Sequence, residues 1–293
     1  MHTKLALGTA QFGMQYGLAN KNGQVNSDEV GKIIELARLN GIDTLDTAID
    51  YGNSETIVGN YELDDMSIIT KLPKIPDDIE NIEAWVNLQI KESLNRLNIS
   101  SLDGILLHRP NQLLESSGVK LYKSLSRLKE EQIVKRIGIS IYAPDELEEL
   151  SSRFKFDLIQ APVNVFDSRL FDTGWMQRLH SMGTAIHARS VFMQGLLLMI
   201  NKERPKKFDH WSKLWTYWEE WLVETNQSPL EACLSHVLSI PEIEKIIVGV
   251  DSSQHLQQIL DLFQNGPKFL LPEQLSNFDT QLFSFSSTTS SGL

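Results

Sequence analysis

Asp46, Tyr51, Lys71 and His108 are the residues whose types and spacing could do chemistry together. Asp46 and Tyr51 flank the break in Leu45-Asp46-Thr47-Ala48-Ile49-Asp50-Tyr51-Gly52, an apolar strand that runs out at a glycine. Lys71 closes Ser67-Ile68-Ile69-Thr70-Lys71, and His108 closes Gly104-Ile105-Leu106-Leu107-His108. A buried strand does not tolerate an unpaired carboxylate, so Asp46 calls for a partner. A tyrosine delivers a proton to a developing alkoxide, but its ordinary pKa is about 10. A lysine ammonium ~4 Å away favours the phenolate by about 4 kcal/mol at an effective dielectric near 20, roughly three pKa units before desolvation subtracts. The expectation is therefore a Tyr51 phenol brought near neutrality by Lys71, Asp46 holding Lys71 charged, and His108 donating a hydrogen bond to a substrate oxygen. The set fits proton donation to a carbonyl as hydride arrives from a nicotinamide. Singly, each residue has a plainer reading: a loop anchor, a packing tyrosine, a solvated strand end, a satisfied histidine. Their joint occurrence carries the argument.

These residues need a frame that brings strand ends together. Short apolar runs alternate with helical patterns along the chain. The strands are read at 5–10, 44–47, 67–71, 102–107, 136–141, 157–160, 184–188 and 244–248. Asn26 or Ser27 caps a helix running to about Asn40, with Asp28 and Glu29 in its first turn and Val30, Ile33, Ile34 and Ala37 as its apolar stripe. Further helices are read at 54–59, 79–98, 119–131, 144–153, 171–182 and 252–263. Alternation of this kind predicts a (β/α)8 TIM barrel, one domain over residues 1–283, with active-site residues at the carboxyl ends of the strands. An open doubly wound sheet is the alternative, but no Gly-x-Gly-x-x-Gly follows the first strand. The longest interval between strands, 189–243, carries Trp211, Trp215, Trp218 and Trp221 at helical spacing. They read either as an amphipathic helix packed on the barrel or as an aromatic wall over the substrate. The Ser/Thr-rich tail 284–293 reads as disordered.

Composition narrows the class. The chain has 293 residues and a net charge of -11 with no basic stripe, which argues against nucleic-acid binding. No apolar run reaches ~18 residues and no leader pattern opens the chain, so a cytoplasmic protein without a membrane partner is expected. Cys233, the single cysteine, reads as a core thiol. His180 and His187 lack metal-ligand spacing, and no metal is expected. Neither a Walker loop nor Gly-x-Ser-x-Gly occurs.

Asp46-Thr47-Ala48-x-x-Tyr51-Gly52-x-Ser54-Glu55, then Thr70-Lys71, then Leu106-Leu107-His108, resemble the catalytic signature of the aldo-keto reductases. Leu7-Gly8-Thr9, Ile137-Gly138-Ile139-Ser140, Gln160 and Gly195-Leu196-Leu197 extend the resemblance over most of the chain. It implies a barrel using NADP or NAD without a Rossmann domain, with Tyr51 as acid/base and Asp46, Lys71 and His108 as its partners. It places Ser140 and Gln160 at the nicotinamide carboxamide and puts Thr9, Asp46, Arg189, Gly195, Gly249, Ser252 and Gln258 along the cofactor. The implied substrate is a small carbonyl compound or the matching alcohol, with sugar-derived molecules among the candidates. Three positions depart from the pattern. Ile141 stands where the family often has Asn, and Arg189 where it has a stacking aromatic. The loop around Gly249, Asp251 and His255 matches the phosphate-clamping basic residues poorly: Asp251 would repel a 2′-phosphate, while Ser252 and the start of the last helix could still offer backbone N–H groups. The family's N-terminal hairpin also has no counterpart before the first strand. These departures keep a second reading open, a cofactor-binding barrel acting as a redox sensor or regulatory subunit.

Overall fold

The computed structural model describes residues 3–265 together with 275, 279 and 281–283; the tail 284–293 lies outside the described residues. Eight parallel strands, β1 (Leu5–Gly8), β2 (Thr44–Asp46), β3 (Ser67–Leu72), β4 (Leu102–Leu107), β5 (Val134–Ser140), β6 (Leu158–Pro162), β7 (Ala185–Arg189) and β8 (Ile243–Gly249), close in sequence order into a barrel. Closure is made by β1 against β8, with Leu5 opposite Ile246 and Gly8 opposite Gly249. The expected (β/α)8 barrel is the observed fold, and it sets the ends of β2, β3, β4, β5 and β6 around one mouth.

The helices are α1 (Ala10–Gly13), α2 (Ser27–Leu39), α3 (Ser54–Val58), α4 (Ile82–Leu97), α5 (Gly118–Glu130), α6 (Glu146–Arg153), α7 (Arg169–Asp172), α8 (Trp175–Ser181), α9 (Ser212–Thr225), α10 (Pro229–Leu238) and α11 (Ser253–Asn265). In α2 the Asn26 side chain accepts from the Glu29 N–H, and Val30, Ile33, Ile34 and Ala37 are buried, as the periodicity dictates. The helix read at 171–182 is instead two pieces, α7 and α8. Gly174 separates them at φ +75°, a left-handed residue that no continuous helix contains. The barrel lumen holds a small apolar layer of Ile69, Leu106 and Leu158, while the larger core lies between strands and helices.

The tryptophans of α9 resolve to the packing alternative. Trp215, Trp218 and Trp221 are buried; Trp215 and Trp218 meet the Phe166 ring at 5.1 and 5.8 Å, and Trp218 stacks on Trp221 at 5.7 Å. None of them lines the cavity at the barrel mouth. Cys233 is buried, its thiol pushed up by burial alone. No helix among the described residues is long and apolar enough to cross a membrane.

Candidate active site

Asp46 ends β2 as a buried carboxylate, and both its oxygens are used. Lys71 donates to Oδ2 at 2.7 Å, and the Gln160 amide donates to Oδ1 at 2.6 Å. Lys71, 1% exposed, also donates to the Thr47 carbonyl at 2.8 Å. The chain of contacts continues from Gln160 Oε1 to the Ser140 hydroxyl at 3.5 Å. The polar ends of β2, β3, β5 and β6 are thereby tied into one network across the barrel top. On its other side Thr9 donates from both N–H and Oγ1 to the Asp46 carbonyl, at 3.0 and 3.1 Å. Thr9 in turn is held by Ser54, whose hydroxyl lies 2.8 Å from its carbonyl.

Tyr51 sits above this network. Its ring centroid lies 4.9 Å from the Lys71 ammonium, and its ring meets His108 edge-on at 5.8 Å. The backbone that carries it is locked by close approach: a Cβ on Gly13 would fall 1.8 Å from the Tyr51 carbonyl oxygen, and one on Gly52 would fall 2.4 Å from the Gly13 oxygen. The loops after β1 and β2 interlock there because neither residue has a side chain. His108 Nδ1 lies 3.5 Å from Asp50 Oδ2.

The electrostatics differ from the expectation that Lys71 draws the phenol toward neutrality. Burial, and after it the Asp46 carboxylate, push Tyr51 well above the ordinary phenol value, with Arg189 opposing. The reason is the ion pair itself. Asp46 at 2.7 Å neutralises the ammonium, so the phenol faces a dipole rather than a bare cation, and desolvation dominates. Lys71 and His108 are lowered, each first by burial. The site thus holds a protonated phenol beside an imidazole biased toward its neutral form.

These groups open onto a cavity of about 450 Å³. Of the expected site residues, Tyr51, Asp46, His108, Thr9, Ser140, Gln160, Arg189, Gly195, Gly249 and Gln258 line it. Lys71 lies beneath, behind Asp46. Ser252 does not line it. Its hydroxyl accepts from the His255 N–H at 3.2 Å, and the N–H of Ser253 is already taken by Glu29 at 2.7 Å. Two of the amides expected to be offered at the start of α11, those of Ser253 and His255, are thus engaged by the chain's own side chains. Ile141 is buried, and its carbonyl accepts from Arg189 Nη2 at 2.7 Å. Arg189 lies over the Tyr142 ring at 4.8 Å, and its Nε is buried without a partner among the described residues.

Tyr16, Asp50, Tyr142, Phe192 and Gln194 also line the cavity, and the sequence reading gave them no role there. Tyr142 lies two residues past Ser140 at the end of β5, so the strand-end rule that found Ser140 reaches it too. Tyr16 carries no periodic signal: it belongs to the glycine-rich loop after β1, where only proximity to the first strand points to the mouth. Burial pushes its phenol up to about 12, with Tyr51 adding to the shift.

The model for the aldo/keto reductase family matches residues 4–273. The chain belongs to the aldo/keto reductase family. Among relatives, it is 24% identical over 278 residues to the uncharacterized oxidoreductase YqkF of Bacillus subtilis, covering 87% of this chain and 89% of that one. It is 26% identical over 240 residues to the D-threo-aldose 1-dehydrogenase of a Pseudomonas species, covering 70% and 73%. The aldo-keto reductase AKR11C1 of Bacillus halodurans, in its holo form, superimposes with a TM-score of 0.73 at 18% identity over 93% of this chain and 90% of that one. Membership makes this aldo/keto reductase barrel an oxidoreductase.

Proposed function

We propose that this protein is an NAD(P)-dependent oxidoreductase that reduces an aldehyde or ketone, or oxidises the matching alcohol, with Tyr51 as general acid/base. One observation carries the reading: Tyr51 and His108 share the mouth of a cavity whose floor is the Asp46–Lys71–Gln160 network.

The cavity fits a nicotinamide dinucleotide on two counts. The Ser140 hydroxyl and Gln160 amide face it at one end, and the buried, unpartnered Nε of Arg189 marks a polar group built for an occupant. The residues that would hold the cofactor are Thr9, Asp46, Ser140, Gln160, Arg189, Gly195, Gly249 and Gln258. The cofactor, when bound, supplies or accepts the hydride. What the chain's own residues do follows from their state. Tyr51, kept protonated by burial, gives its proton to the oxygen that becomes an alkoxide. Lys71, fixed by Asp46 and the Thr47 carbonyl, keeps a positive end beneath the phenol as negative charge appears there. His108, held against Asp50, orients the substrate oxygen. In the oxidative direction the same phenol loses its proton first, against burial, and Arg189 is the cation that eases the loss.

For the substrate, a small carbonyl compound or alcohol is proposed. A polyhydroxylated, sugar-derived one is supported by the hydrogen-bonding groups of Tyr16, Asp50 and Gln194 around the mouth and by the aldose dehydrogenase among the relatives. Replacing Tyr51 with Phe tests the assignment. Turnover on aldehydes and ketones is expected to vanish while calorimetric binding of reduced cofactor persists. Undiminished turnover in Tyr51→Phe rules out the proton donor. Stoichiometric cofactor binding by the unaltered protein, with no turnover on a broad carbonyl panel, favours the sensor reading instead.

A further inference from the structure

The cavity runs from Tyr51, Ser140 and Gln160 to the end of β8 and the face of α11, where Gly249, Asp251, His255 and Gln258 line it. With the nicotinamide end at Tyr51, as the proposed function requires, the adenosine ribose of the same molecule falls at the α11 end. The charge there has one predominant sign. Asp251 is half-buried in the wall. Behind it Glu29, from α2, accepts from both the N–H and the hydroxyl of Ser253, at 2.7 and 2.6 Å, so a carboxylate already occupies the first turn of α11. Ser252 caps the His255 N–H. No lysine lines the cavity among the described residues, and Arg189, its arginine, is committed to the Ile141 carbonyl and the Ser190 hydroxyl at the β7 side. Lys32 of α2 is the nearby cation, and it is already paired with Glu29. It lies 3.1 Å from the other Glu29 oxygen and is itself 65% exposed.

We propose that this end of the cavity selects NAD(H) over NADP(H), with Asp251 accepting from the ribose hydroxyls and Glu29 denying the α11 amide to a 2′-phosphate. A carboxylate accepts two hydrogen bonds from a vicinal diol, and this pairing is how a ribose without phosphate is recognised. The same carboxylate placed against a phosphate is a like-charge contact. Asp251 then supplies both the attraction and the like-charge repulsion, and Glu29 adds to the selectivity by occupying the Ser253 N–H. Glu29 is held ionised, down to about 2, by its two Ser253 hydrogen bonds and then by Lys32, so it keeps the Ser253 N–H occupied at every working pH. Asp251 is raised by burial with His255 opposing, which suits a carboxylate whose partners arrive with the ligand.

The inference rests on the proposed function and is separable from it by direct titration. Isothermal calorimetry of the whole protein with NADH and with NADPH, at one ionic strength, reads binding without turnover. NADH is expected to bind about ten-fold or more tightly than NADPH. Asp251→Asn is expected to weaken NADH and narrow the ratio at least about five-fold. Glu29→Gln, which keeps the size of the side chain, is expected to tighten NADPH and leave NADH within about two-fold; Lys32→Ala is expected to move neither. NADPH binding as tightly as NADH in the unaltered protein overturns the proposal and leaves the oxidoreductase reading standing. So does a ratio that neither Asp251→Asn nor Glu29→Gln changes, or a loss of NADPH affinity in Lys32→Ala. Binding of neither nucleotide overturns both readings.

Discussion

At the scale of single residues, the question is which partner governs the Tyr51 phenol. A lone ammonium would make it acidic, but this ammonium is neutralised 2.7 Å away by Asp46, and burial is the larger effect. A group whose pKa is raised stays protonated to higher pH, so carbonyl reduction, which needs the proton on Tyr51, is predicted to hold its kcat/KM level through neutrality and fall only above the ordinary phenol range of about 10. A pH profile with saturating cofactor checks this; an alkaline limb centred near neutrality would show Lys71 dominating after all. The pair makes a second prediction. Lys71→Met leaves a carboxylate buried with only Gln160 as side-chain partner, and breaking such a pair destabilises by about 3–5 kcal/mol. Urea unfolding should show that loss, and Lys71→Met with Asp46→Asn should recover most of it without restoring turnover, because the charge beneath the phenol is gone. Asp46, Lys71 and His108 were legible in the sequence because each is a polar residue ending an apolar run, and Tyr51 because it lies in the loop just past the first of those ends. The electrostatic outcome was not, since it depends on which two of them touch.

At the scale of elements, the site is positioned by loop interlock as much as by strands. Gly13 in α1 and Gly52 after β2 are pressed together at the Tyr51 carbonyl. Gly13→Ala is predicted to push the Tyr51 loop aside and lower kcat by about 100-fold, the scale associated with a displacement near 1 Å, while cofactor affinity changes little. Steady-state kinetics beside calorimetric titration would separate the two, and an unaltered kcat would show that the loop has room to give. Strands and helices were readable because burial imposes a period: β4 matches its sequence-read bounds, and α2 is capped at Asn26. What was not readable has no period. The α7–α8 break hangs on one left-handed glycine. The Tyr16 loop packs against the segment after β7, where Ala19 N–H donates to the Gln194 carbonyl at 3.2 Å, a contact between stretches that share no pattern. The tryptophans of α9 took the packing alternative, but helical spacing alone could not choose it: spacing shows that they share a face, not what the face meets.

At the scale of the whole molecule, charged and polar side chains of β5, β7 and β8 meet at Glu244, away from the Tyr51 site. Glu244 at the start of β8 accepts from Arg136 of β5 at 2.7 Å and pairs with His187 of β7 at 3.1 Å. Its carboxyl is held down to about 2, first by the His187 hydrogen bond, from an ordinary 4.5. A carboxyl lowered on folding contributes stability that is complete above its unfolded value and is lost as pH falls through the folded one. The window for Glu244 is therefore about 4.5 down to about 2. His187 is lowered by burial, so its own contribution falls in the same direction, beginning below about 6.5. That part grows when Glu244 is replaced, because Glu244 is the group that raises His187 against burial. Melting temperatures of the unaltered protein and of Glu244→Gln, measured from about pH 6 to pH 2, should differ most above about 4.5 and converge toward pH 2. The difference between the curves reads the carboxylate together with the His187 it holds, because Gln keeps the shape but cannot titrate. A gap that stays constant over the whole range would mean that packing, rather than the charge on Glu244, sets its contribution to stability.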